Sequence, residues 1–171
     1  MLKVIERRTG RLVQLLDLDV EEGWDACDNA VRIPDCNFDG HPDLELYAHS
    51  GGAGPNIGHV FYLFDPATEQ FVFHEGLSDL TQTQVDPATK TISAGWRNGC
   101  CHHGSEAYRF LNGQFTLVAR HEDDCLGADG YCYVTDGRLV RGKWREKRRK
   151  YKLDLVYPED QGARTSRKKG A

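Results

Sequence analysis

The stretch Asp35-Cys36-Asn37-Phe38-Asp39-Gly40-His41-Pro42-Asp43 sets an oxygen-bearing side chain at alternate positions around one glycine. Three carboxylates in so short a turn repel each other unless a divalent cation sits among them. The spacing assigns the ligands of a Ca2+ ion: Asp35, Asn37 and Asp39 at loop positions one, three and five, the carbonyl of His41 at seven and Asp43 at nine. All are oxygen donors, and calcium takes about 6–8 of them at about 2.3–2.6 Å, with Asp43 bidentate and water completing the shell. Position twelve is Leu46 in place of glutamate, and Leu44, Leu46 and Ala48 alternate with Glu45, Tyr47 and His49. That is strand periodicity, so the loop is expected to join two β-strands. The alternative is an Asx-rich turn without an ion, because Asp, Asn and Gly are also ordinary turn residues.

Cysteine supplies a second set of reactive groups. Cys27, Cys36, Cys100, Cys101, Cys125 and Cys132 are even in number and sit at loop and strand-end positions, which favours an oxidising compartment over a cytosol that keeps thiols reduced. Cys125 and Cys132 bracket the turn-rich Gly127-Ala128-Asp129-Gly130 and are expected to form a local bridge. The other four are expected to cross-link the calcium region to Cys100-Cys101, leaving no free thiol. Cys100-Cys101-His102-His103 has zinc-ligand residue types, but neighbours in an extended segment point to opposite faces and cannot all converge on one tetrahedral ion. His49, His59, His74 and His121 share no spacing and read as structural or surface residues. With no Gly-x-Ser-x-Gly elbow, no His-Glu-x-x-His and no phosphate loop, the chain does not read as an enzyme.

Short strands and tight turns must position these groups. Leu2 to Arg7 and Leu12 to Asp17 flank Thr9-Gly10, and Val60 to Phe64 and Phe71 to His74 flank Asp65-Pro66-Ala67-Thr68. Tyr108 to Leu111 and Phe115 to Arg120 flank Asn112-Gly113, a pair that tolerates the positive φ of a type I′ hairpin turn. Asp-Pro-Ala-Thr recurs at Asp86, and Asp129-Gly130 and Asp136-Gly137 predict further turns. The pattern predicts an all-β antiparallel meander, arranged as a sandwich, barrel, or propeller-like or incomplete β-propeller array. At 171 residues the expectation is a single β-domain over residues 1–160 and a basic disordered tail over 161–171. No apolar run approaches the ~18–20 residues of a membrane span. Met1 to Arg7 passes straight into a strand-like pattern, so an exported or periplasmic location implies a signal already removed.

The net charge of −4 conceals an asymmetry. From Arg138 onward 13 Lys/Arg and 4 Asp/Glu give +9, while the preceding residues hold 9 basic and 22 acidic groups, −13. The acidic body disfavours nucleic acid and suits basic protein partners. The basic runs lack the aromatic interleaving of a single-strand binder and read as a solvated hairpin and tail.

The run Asn37-Phe38-Asp39-Gly40-His41-Pro42-Asp43-Leu44, a Gly-rich loop, Tyr62-Leu63-Phe64-Asp65-Pro66, Leu77-Ser78-Asp79-Leu80 and Asn112-Gly113 resemble a family of small exported bacterial proteins related to the FG-GAP and VCBS β-propellers. The resemblance spans roughly Val31 to Val118. It implies a propeller-like fold with a calcium loop, and an immunity-type role inhibiting a peptidoglycan hydrolase of the lysozyme-like class. The Cys100-Cys101-His102-His103 cluster and the basic C-terminal end depart from the family pattern. The expected partner is a basic hydrolase met by a chain that is monomeric when free. Loops entering its cleft would come from Ser50, Gly52 and Asn56 and from the Tyr131/Tyr133 hairpin. The competing expectation is a calcium-dependent carbohydrate-binding or adhesion module, with Trp96, Tyr131 and Tyr133 as a stacking platform.

Overall fold

Turn chemistry sets the order of elements in the computed structural model, which describes residues 1–17, 30–51, 56–125, 127 and 129–152. β1 (Leu2–Ile5) and β2 (Leu12–Leu16) form a hairpin that turns at Gly10, φ 71°. β3 (Val31–Arg32), β4 (Leu44–Gly51), β5 (Asn56–Asp65) and β6 (Gln70–Phe73) make a four-stranded antiparallel sheet in chain order. A one-turn helix, α1 (Glu75–Ser78), is capped by His74, whose Nδ1 accepts from the Leu77 N–H at 3.1 Å. Then β7 (Gln84–Asp86), β8 (Thr91–Arg97), β9 (His102–Leu111), β10 (Gln114–Asp124), β11 (Tyr131–Val140) and β12 (Lys143–Lys152) run as one six-stranded antiparallel meander.

The hairpin expectations hold where the local chemistry is strong. Asn112 and Gly113 take φ 52° and 77°, the positive pair a type I′ turn requires. In both Asp-Pro-Ala-Thr turns the aspartate accepts from the backbone two residues on, Ala67 N–H to Asp65 and Ala88 N–H to Asp86, each at 2.9 Å. Asp136-Gly137 is different: it lies inside β11, and the chain reverses instead at Arg141-Gly142, φ 52° and 73°. The indole of Trp144 lies across Gly137 where a Cβ would collide with it, so the glycine serves cross-strand packing rather than a turn. The all-β antiparallel expectation holds, while a propeller-like arrangement is not shown. Among the described residues the strands form open sheets of two, four and six strands, with no closed barrel and no ring of blades.

The four-stranded sheet is the middle layer. On one side Leu16, Leu44, Leu46 and Tyr62 pack with Leu2, Val4 and Phe71, placing the β1–β2 hairpin against the sheet. On the other, Cys36, Phe61, Leu77 and Ile92 join it to α1 and β8. Both faces of β4 are covered at its start, which is why Leu44, Glu45 and Leu46 are buried in succession. Thr81 sutures the two larger sheets: it bridges to Gly58, its carbonyl accepts from Gly95 N–H at 3.0 Å, and its hydroxyl donates to the Gly95 carbonyl at 2.6 Å. Among the described residues no helix is long and apolar enough to cross a membrane.

Candidate functional site

The Asp35–Asp43 loop folds around its own backbone. Asp39 N–H is shared by Asp35 Oδ1 and Asn37 Oδ1, both at 3.1 Å; Gly40 N–H donates to Asp35 Oδ2 at 3.0 Å and His41 N–H to Asp39 Oδ1 at 2.8 Å. Phe38 and Gly40 provide the positive φ values, 62° and 92°, that let three side-chain oxygens face one coil. Asp35, Asn37 and Asp39 are thus brought together, as the spacing expected. Asp43 turns inward beneath the same loop. Its carboxylate is 0 % exposed and accepts from Cys36 N–H at 2.7 Å and Phe64 N–H at 2.8 Å, tying the loop to β5. The His41 ring rests against Phe64, centroids 5.5 Å apart. No three His, Cys, Asp or Glu side chains converge on one ion position among the described residues.

The chemistry of the loop nonetheless fits calcium. Its donors are all oxygen, each carboxylate oxygen retains a lone pair beyond the amide it accepts, and no Lys, Arg or His among the described residues ion-pairs with Asp35, Asp39 or Asp43. Burial raises the Asp43 carboxyl above the usual range, against the lowering effect of the Phe64 and Cys36 amides. A buried carboxylate without a cationic side chain is the situation a bound cation relieves.

The expected interface residues lie at the opposite end. Asn112-Gly113 turns beside the loop, Gly113 sharing a cavity of about 460 Å³ with Asn37, Asp39 and His74. Ten residues of β9, roughly 30 Å at about 3.3 Å each, separate that turn from the far end of the six-stranded sheet. There Asn56 links the start of β5 to Arg97, its amide donating to the Arg97 carbonyl at 2.8 Å and its oxygen accepting from Arg97 N–H at 2.9 Å. Asn56 is therefore spent on holding the sheets together. Ser50 pairs with Ile57 beside it, and Gly52 lies outside the described residues. Cys125 N–H donates to the Cys101 carbonyl at 2.8 Å, and the expected Cys125–Cys132 disulfide leads directly to Tyr131. Sequence positions as distant as Asn56 and Tyr131 are thereby gathered at one end.

The tyrosines there are not bare platforms. Lys150 Nζ sits 3.7 Å from the Tyr131 ring centroid, Arg148 stands 4.4 Å over Tyr133, and the Tyr133 hydroxyl donates to Asp129 at 2.7 Å. Every residue of β12 is exposed, and its seven Lys/Arg against Glu146 give +6 in ten residues.

The remaining cysteines correct the expected pairing. Cys100 and Cys101 bond to each other, and Cys36 is a free thiol, buried between Asp43 and the core and raised by that burial. Cys36 sits beside Asn112-Gly113's end of the molecule rather than beside Cys100-Cys101, so no bridge links the loop to that pair. Cys27 lies outside the described residues.

A polar cluster at the seam between the sheets was missed by the sequence reading. Glu45, 4 % exposed, and Arg32 form an ion pair; Arg32 Nη2 also lies 3.2 Å from His59 Nε2. Since guanidinium only donates, Nε2 accepts and the proton belongs on Nδ1, which faces the Thr83 hydroxyl at a long 3.5 Å. His59, 9 % exposed, is held neutral, its pKa pushed down to about 4 by burial first and by the Arg32 charge second. Burial raises Glu45 while Arg32 and the Thr83 hydroxyl oppose the rise. These residues come from β3, β4, β5 and the α1–β7 connection, so no spacing in the chain announces them.

No known family matches the chain, and no curated protein does. The fold is shared with a solved structure described as "Structure of a Xanthomonas Type IV Secretion System related protein", with a TM-score of 0.56 and 24 % identity. The match covers 75 % of this chain and 62 % of that one, so the chain spans under two thirds of its neighbour's length.

Proposed function

We propose that the chain is an exported, calcium-binding inhibitor of the immunity type, directed at a peptidoglycan hydrolase of the lysozyme-like class. The observation carrying this reading is the gathering of Ser50 and Asn56, at the adjoining ends of β4 and β5, and of Tyr131 and Tyr133 at one end of the sheets, remote from the ion loop. Such an end can present side chains to a cleft without a large ordering cost on binding. Retaining and inverting glycosidases alike work with a pair of carboxyl groups, and Tyr133 flanked by Arg148 and Lys150 has the donors and positive charge to engage them. The acidic remainder of the chain suits the basic rim of an enzyme that binds an anionic polymer. The two disulfides among the described residues are compatible with export, and the fold shared with a secretion-system-related protein is in keeping with a bacterial secretion setting.

Calcium in this reading is structural. Asp35, Asn37, Asp39 and Asp43, with the His41 carbonyl, would hold it, and its charge would offset the carboxylates that the fold brings to the start of β4. The function is tested by adding purified protein to a panel of lysozyme-like enzymes, including any hydrolase encoded beside it, and following peptidoglycan hydrolysis. Inhibition of one member, weakened about tenfold or more by Tyr133→Ala, is expected. No binding and no inhibition across the panel would shift the reading to a calcium-dependent carbohydrate-binding module, in which the tyrosine faces must first release their cations.

A further inference from the structure

A cleft of about 690 Å³ opens at the seam, lined by Arg32, Tyr47, His59, Gln82, Thr83 and Gln84. We propose that this cleft binds a neutral sugar ring, with an acetamido-bearing hexosamine its best-matched occupant. Its size falls in the range of small-molecule sites, and its floor has the convergent buried polar groups such sites use for orientation. Glu45, His59 and Thr83 are all buried there and hydrogen-bonded among themselves and to Arg32.

The lining decides the ligand class. Arg32 has its charge matched by Glu45, so a free anion would compete with a buried carboxylate already in place. An apolar ligand would find only Tyr47 and Ile57 to cover it, with amides and a hydroxyl across the rest of the wall. Hydroxyl and acetamido groups both donate and accept, which is what the Gln82 and Gln84 amides and the Tyr47 hydroxyl offer. Gln82 reaches Asn56 and Gly95 only at 3.3 and 3.4 Å, and the Gln84 amide and Tyr47 hydroxyl have no hydrogen-bond partner among the described residues. Tyr47 also supplies an aromatic face, its ring set edge-on to His59 with centroids 6.2 Å apart.

Backbone strain marks the same wall independently. Among the described residues six non-glycine positions have positive φ; Glu69, Lys90, Asn112 and Arg141 turn hairpins, and Phe38 belongs to the ion loop. Gln82, φ 52°, turns no hairpin. It is held there by its N–H donating to the Ile57 carbonyl at 2.7 Å, which aims its side chain along the cleft mouth. A left-handed conformation at such a residue is strained, and such strain collects at functional sites.

This site does not rest on the inhibitor reading, and its test uses no hydrolase. The full chain is titrated with N,N′-diacetylchitobiose, with cellobiose and with a blocked diglycine peptide, by calorimetry and by the chemical shifts of the His59 ring. Saturable chitobiose binding that moves His59 and is weakened about tenfold by Tyr47→Ala, and also by Gln84→Ala, is expected. Gln84 is exposed on the edge strand β7, so that variant folds even where Tyr47→Ala does not. Equal binding of cellobiose overturns the acetamido assignment. Absence of sugar binding, stronger binding of the peptide, or chitobiose affinity unchanged in Gln84→Ala overturns the site.

Discussion

Asp43, Glu45 and His59 lie buried around the four-stranded sheet, each fixed by particular neighbours: two backbone amides, an arginine, a threonine hydroxyl. On the six-stranded sheet charges of the same kinds form a different pattern. His102 meets Glu122 at 3.0 Å, His103 meets Asp123 at 3.2 Å, and His121 stands between Asp136 at 2.8 Å and Asp123 at 3.1 Å, all with solvent access. In the first region desolvation sets protonation and each group is needed by its neighbours. In the second, water screens the pairs and no single one is indispensable. One chain thus carries an ionic network that specifies how its layers meet and another that lies along a solvent-accessible open sheet.

The largest effect expected from this contrast is at Asp43. Asp43→Ala removes two hydrogen bonds to a charged acceptor and leaves the Cys36 and Phe64 amides unpaired, a loss of about 3–5 kcal/mol. Urea unfolding in the presence of a chelator measures it apart from any ion. Asp123→Ala, which breaks contacts to His103 and His121, should shift the unfolding midpoint far less. Comparable losses in the two variants would break the comparison.

Protonation provides the second test. His59 has a folded pKa near 4 against 6.5 unfolded, so the unfolded chain binds the proton first as the solution is acidified. Stability is therefore unaffected by this group above about pH 6.5 and falls between 6.5 and about 4, by ~3 kcal/mol at most. Glu45, raised by burial, acts with the opposite sign in the carboxylate range, so the histidine is best followed directly. Its ring resonances should stay fixed from pH 7.5 to 5. A His59 midpoint near 6.5 would show that the seam is wetter than its burial implies.

Calcium should sharpen the contrast by acting on one region alone. If Asp35, Asn37, Asp39, His41 and Asp43 hold the ion, a hundredfold excess over Kd stabilises the fold by about 2.7 kcal/mol. Melting curves with calcium and with chelator measure this, and hydrogen exchange should slow at the start of β4 and in the paired part of β5, leaving β11 and β12 unchanged. Coincident melting curves, with no ion recovered from purified protein, would return the loop to an ordinary Asx-rich turn.

How much of this was legible in the sequence follows from how local each cause is. Asn112-Gly113 and the two Asp-Pro-Ala-Thr turns are decided by residues that touch only their neighbours, and the structure turns there. Asp136-Gly137 carries the same local signal, but the indole of Trp144 needs the space over Gly137, and cross-strand packing wins. Asp35, Asn37 and Asp39 were found because one loop contains them; the inward turn of Asp43 depends on Phe64, 21 residues away. The turn-rich stretch between Cys125 and Cys132 pointed to their bridge, whereas the even cysteine count held no sign that Cys36 belongs to the core. The seam cluster draws single residues from four segments, and a lone histidine such as His59 carries no mark of its partners until the sheets are assembled.

The smallest expected effect belongs to Asp136, and its sign opposes that of His59. His121 is raised above 6.5, first by its hydrogen bond to Asp136 and also by Asp123, because both carboxylates favour the imidazolium. The stabilisation is fully present below about pH 6.5 and is lost as pH rises through the raised folded value. Asp136 also pairs with Arg149 of β12, so Asp136→Asn loosens two contacts at once, yet both partners keep access to water and to other charges. Above the raised folded value, where His121 is neutral in either state, the variant should unfold close to wild type. At pH 6 it should lose a small increment, and the His121 midpoint read from its ring resonances should fall toward 6.5. A pronounced loss at both pH values would mean that the β11–β12 hairpin is tied down through this pair, and the exposed network would then be as specific as the buried one.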